Sequence, residues 1–110
     1  MYDTTTVETI TGEVVAVNRI PSGKGRGGGV HLMLKTDKEE IAVHLGPQWY
    51  VDQQPMNVAA KDHVEVRGSR ISFEGKAVII AAEVKKGGRV LKLRDDAGLP
   101  LWRGGRRQKS

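Results

Sequence analysis

Between Val30 and Leu45 apolar and polar residues alternate in two consecutive runs. Val30, Leu32 and Leu34 share one face and His31, Met33 and Lys35 the other, the period of two of a half-buried strand. Ile41, Val43 and Leu45 repeat the pattern, with Glu40, Ala42 and His44 opposite them. Two strands so patterned form a hairpin, and aligning their apolar faces puts His31 and His44 on one outer surface. A tight turn at Asp37-Lys38 would set the histidines directly opposite each other, and a longer loop over Asp37 to Glu40 would set them diagonally. Asp-Lys lacks the positive-φ glycine favoured in two-residue turns, so both registers stay open.

The rest of the chain extends this pattern. Val7 to Ile20 has the β-branched density of a long first strand, with Gly12 marking a bulge or sharp bend. Pro21 to Gly29 is too rich in glycine for helix or ladder and reads as a loop presenting Lys24 and Arg26 at its tip. Pro47 suits the start of a short helix running to about Gln53 and ended near Pro55, whose Trp49, Tyr50 and Val51 plug one end of a barrel, Trp49 as a core residue. His63 to Ile71 alternates again, Glu74-Gly75 turns, and Ala77 to Val84 is apolar enough for a strand buried on both faces. After Gly87-Gly88, residues Val90, Leu91 and Leu93 are expected to pair with Leu99, Leu101 and Trp102 around Asp95 to Gly98.

The prediction is an all-β protein: an OB-fold-like, five-stranded Greek-key barrel with a short helix between strands 3 and 4 and an extra C-terminal hairpin. Residues 1–6 are expected to be a frayed N-terminus, 7–102 the single barrel domain, and 103–110 a flexible basic tail. A chain of 110 residues suffices for one core and no more.

Charge and composition then narrow the chemistry. A formal net charge of +5 favours anionic partners, and the absence of cysteine excludes thiolate zinc sites, disulfides and cysteine nucleophiles. No apolar run approaches the length of a membrane span, and Met1-Tyr2-Asp3-Thr4 has neither the basic start nor the apolar core of a signal peptide. A cytoplasmic monomer is expected from the chain as written, and a periplasmic or exported one if a leader has been trimmed.

Gly23-Lys24-Gly25-Arg26 lacks the Walker spacing and precedes a strand, so it reads as an electrostatically sticky loop rather than a phosphate cradle. His31 and His44 are one ligand short of a persuasive metal site, Met33 notwithstanding, and the expectation is no resident metal and no cofactor. Trp49 and Tyr50 sit where bases could stack, whereas Tyr2, Phe73 and Trp102 are too scattered for a platform. Lys85, Lys86, Arg89, Lys92 and Arg94 form one basic block, and Arg103, Arg106, Arg107 and Lys109 a second. The paired carboxylates Glu39-Glu40 and Asp95-Asp96 lie in turns, and no serine has a nucleophile-elbow context, so no enzyme is expected.

His44-Leu45-Gly46-Pro47 followed by Trp49-Tyr50 resembles the motif of a small, poorly characterised bacterial family with OB-type barrels. The resemblance runs from about Gly12 to Trp102 and includes Gly29-Val30-His31-Leu32, Gly68-Ser69-Arg70, Lys86-Gly87-Gly88 and Leu93-Arg94-Asp95. One departure is Ala60-Lys61-Asp62, where a Pro-Gly-Asp turn is expected. The resemblance implies the fold, and a DNA-binding label that rests on fold alone; some relatives are exported. The expected function is therefore weak, salt-dependent, non-sequence-specific binding of single-stranded nucleic acid through Lys24, Arg26, His31, Lys35, His44, Tyr50, Arg103, Arg106 and Arg107. The alternative is an exported accessory or adaptor domain that binds protein or loosely holds a metal.

Overall fold

The computed structural model describes residues 2–20, 29–54 and 57–102. Its strands are β1 (Val7–Ile20), β2 (Gly29–Lys35), β3 (Glu40–Pro47), β4 (His63–Phe73), β5 (Lys76–Lys86) and β6 (Arg89–Lys92), with helix α1 (Gln48–Asp52) between β3 and β4. β2 pairs antiparallel with β1 and β3, β4 with β1 and β5, and a parallel pairing of β3 with β5 from Ala42↔Val78 to His44↔Ile80 closes five strands into a barrel. The connectivity and the helix position are those predicted, and β6 adds an outer strand against the end of β5.

Period-two patterning decides the inner face. Leu32, Leu34, Ile41, Val43, Leu45, Val64 and Val66 are buried together with Val14, Ile79, Val84 and Leu91, while the residues that alternate with them on β2 and β3 face outward. β5 is buried on both faces, because Val78, Ile80 and Ala82 are covered from outside as Ile79 and Ala81 are from within. The β2–β3 connection takes the tighter of the two registers. Lys35 pairs with Glu40, Thr36 N–H bonds Glu39 O at 2.8 Å, and the Thr36 hydroxyl accepts from the N–H groups of Lys38 and Glu39 at 3.1 Å each. The threonine side chain thus closes a turn that has no glycine.

Gly12 marks the corner where β1 leaves β4 and joins β2; a Cβ there would overlap the Lys35 carbonyl. The bulge itself falls at Val15, which it turns outward. Where a glycine-containing turn is expected before β4, Lys61 takes φ +78° and donates to Val14 O at 2.6 Å.

The expected terminal hairpin is rearranged. β6 turns back through Gly87 onto β5, with Lys86 opposite Arg89 and Val84 opposite Leu91, and the return segment contributes a single bridge, Arg94↔Pro100. The Asp95 carboxylate accepts the N–H groups of Ala97 and Leu99 at 2.9 Å, which rounds 95–99 into a turn and leaves no length for a ladder. At the other terminus, where fraying is predicted, Thr4–Thr6 form a 3-10 turn capped by Asp3, and the buried Ser69 hydroxyl receives Asp3 N–H at 3.0 Å. The proposed basic tail lies outside the described residues.

Candidate functional site

Three surface features emerge from this frame. On the outer face of β2 and β3, His31 and His44 are directly opposite, with ring centroids 3.9 Å apart and planes within 3° of parallel. Phe73, at the end of β4, meets His44 edge-on at 5.7 Å. Burial lowers the pKa of both histidines below 6.5, and for His44 the neighbouring His31 charge lowers it further. Both rings are therefore neutral near pH 7. Stacked rings aim their nitrogen lone pairs in parallel planes rather than at a common point, and among the described residues no group of three His, Cys, Asp or Glu side chains could hold a metal.

The second feature escaped sequence reasoning. Tyr2, Trp49, Tyr50 and Trp102 do not scatter; they form a row. Trp49 meets Tyr50 edge-on at 5.9 Å, Tyr50 meets Trp102 at 5.4 Å, and the Arg94 guanidinium lies 5.3 Å from the Trp102 ring and 5.5 Å from the Tyr2 ring. Backbone glycines seat the rings: Trp102 rests on Gly46, at φ +147°, and Tyr2 on Gly98. Burial pulls the Arg94 guanidinium below the usual arginine range, with Tyr2 opposing, and Arg94 Nη1 donates to Gly98 O at 2.8 Å. Burial likewise raises the Tyr50 phenol, whose hydroxyl donates to Lys92 O at 3.2 Å. Contrary to the expectation of a core position, Trp49 is 48% exposed, whereas Tyr50 and Val51 pack against the core. A five-residue helix capped by Pro47 can turn only part of its circumference inward, and that part is Tyr50-Val51.

The third feature is a cleft of about 680 Å³ between the first half of β1 and the β2–β3 turn. Its floor is an ion cluster. Arg70 donates to both oxygens of Glu39, at 2.7 and 3.3 Å, and through Nε to Glu8. These bonds hold the Glu39 carboxyl below its ordinary pKa and raise that of Arg70. His63 and Lys35 sit on the lining.

Of the sequence-predicted site residues, His31, His44 and Lys35 share the outer face of the β2–β3 hairpin, and Tyr50 lies apart from them in the aromatic row. Lys24, Arg26, Arg103, Arg106 and Arg107 lie outside the described residues. With Lys109, those are the six basic side chains in the undescribed stretches, which hold no acidic one. The described part consequently carries one more acidic than basic side chain, so the net charge of +5 is not a property of the barrel face. The expected basic block is also largely spent. Lys86 bonds Asp62 at 3.0 Å, Lys85 lies 3.9 Å from both Glu65 and Glu83, and Arg94 sits between aromatic rings.

No helix among the described residues is long and apolar enough to cross a membrane. No curated protein matches the sequence. Residues 6–91 match the MamS/MamX magnetosome protein family. That match corrects the earlier family resemblance and the nucleic-acid function drawn from it: the OB-type barrel stands, the DNA-binding label does not. The match spans most of the 110 residues, and the chain belongs to the MamS/MamX magnetosome protein family.

Proposed function

We propose that this barrel is a non-enzymatic accessory module in a magnetosome-associated role, acting as a monomer that docks a protein partner. The observation that carries the reading is Trp49, half exposed at the end of a braced aromatic row. Tryptophan and tyrosine dominate the energetics of protein interfaces, where a rigid ring buries a large area at low entropic cost. Here Tyr50, Trp102 and Arg94 fix the platform before any partner arrives, which lowers the ordering cost of binding. Family membership supports the magnetosome association.

The test is fractionation of magnetosome-forming cells that express the tagged chain. The parent is expected with the magnetosome fraction, and Trp49→Ala, if as heat-stable as the parent, is expected in the unbound fraction. Equal recovery of both proteins with magnetosomes would refute docking through Trp49. Absence of both would refute the magnetosome association.

A further inference from the structure

The cleft beside β1 has a property that neither the family nor the aromatic row accounts for: one of its walls is an open strand edge. From Val7 to Gly12, β1 is paired with β4 on one side, and its pairing with β2 begins only at Glu13↔Lys35. Main-chain groups alternate in direction along a strand. Val14 turns its N–H to Asp62 O at 2.8 Å and its carbonyl to Lys61 N at 2.6 Å, on the β4 side. Ile10 and Gly12 share that direction by alternation, so Thr9 and Thr11 turn their N–H and C=O groups into the cleft. Among the described residues, no hydrogen bond reaches those groups from the β2 side.

The opposite wall is the turn from Lys35 to Glu39, which meets β1 at Gly12 and is tied to β4 by the Arg70–Glu39 bond. Five residues of extended chain span about 17 Å, the length of β1 from Glu8 to Gly12 that lines the cleft. Recessed between β1 and the β2–β3 turn, this edge offers an extended segment one strand's length of main-chain pairing.

We infer that this cleft binds an extended segment of a partner polypeptide as an added strand along β1, with a lysine or arginine of that segment directed at Glu8 and Glu39. Strand addition satisfies the open donors and acceptors of Thr9 and Thr11 with the partner's main chain. The basic side chain follows from the floor, where two carboxylates share one guanidinium and retain one net negative charge. On the rim, Glu13 and Asp37 are balanced by Lys35 and Lys38. This site is separate from the aromatic row and stands whether or not Trp49 docks a partner.

The experiment is amide hydrogen exchange on the full chain, alone and with heptapeptides selected on it from a displayed random library. In the free chain, Thr9 and Thr11 amides should exchange fast while Ile10 and Gly12 are protected. A selected peptide should protect Thr9 and Thr11, and N-methylating its alternate amides should weaken binding about tenfold, the loss of roughly one to two hydrogen bonds. Glu8→Gln should weaken it by a smaller factor and reduce its salt dependence. Protection of Thr9 and Thr11 in the free chain would show the edge already paired and overturn the inference. So would failure to select any binder, or a peptide that binds without changing exchange at those two residues.

Discussion

His31 and His44 face each other across β2 and β3 with rings 3.9 Å apart, close enough that a proton on either is felt by both. Burial holds both pKa values below 6.5 in the folded chain, and unfolding returns them to about 6.5. Between the folded and unfolded values the unfolded state binds more protons, so the stabilising contribution is complete above about pH 6.5 and is lost as the pH falls toward the folded values. Thermal melts between about pH 7.5 and about pH 5.5 should therefore show a declining Tm. In the double variant His31→Gln, His44→Gln the decline should be clearly shallower; a parent and variant with the same slope would place the titration elsewhere.

Lys61 occupies a backbone conformation that suits glycine, at φ +78°, while its N–H is committed to Val14 O. Lys61→Gly should keep that bond and relieve the left-handed strain, at some cost in unfolded-state entropy. The expected net gain is roughly 0.5 to 1 kcal/mol, read by urea denaturation. A loss of stability would mean that the lysine side chain contributes more than its backbone costs.

The barrel was legible in the sequence because period-two alternation survives in β2, β3 and the first half of β4, and the unbroken apolar run of β5 marks a strand buried on both faces. The same alternation placed His31 and His44 on one face, but their direct opposition depends on the Thr36 hydroxyl closing the turn, and a lone threonine carries no such signal. Trp49 was misplaced because an aromatic residue on a short helix invites an inward assignment, whereas a helix of five residues turns only part of its circumference inward, here Tyr50 and Val51. The aromatic row was invisible for a different reason. It joins Tyr2 to Trp102 through Arg94, across residues far apart in sequence, and the glycines that seat those rings look like ordinary turn residues in sequence. The nucleic-acid expectation averaged charge over the whole chain, although the basic excess is confined to residues outside the described barrel.

Gly46 supports Trp102 so closely that a Cβ would stand 2.8 Å from two atoms of the indole, and its φ of +147° disfavours any side chain. Gly46→Ala should expel the ring and cost about 1 to 3 kcal/mol, the usual range for overpacking. In a Trp49→Phe background, where Trp102 is the sole tryptophan, its emission should shift to the red. An unshifted spectrum would show that the ring has another seat.

Trp49 and Trp102 make opposite predictions from the same aromatic row. Trp102 packs against the core, Tyr50, Arg94 and Gly46, so Trp102→Ala removes contacts on several sides and should destabilise by about 2 to 4 kcal/mol, somewhat below the cost of a wholly buried tryptophan. Trp49 is 48% exposed and touches the row through one edge, so Trp49→Ala should cost less than about 1 kcal/mol. Chemical denaturation of the two variants at matched pH decides the matter through the order of their midpoints. A larger loss from Trp49→Ala would mean that its ring is structural and unavailable to a partner, and the docking role proposed for it would fall.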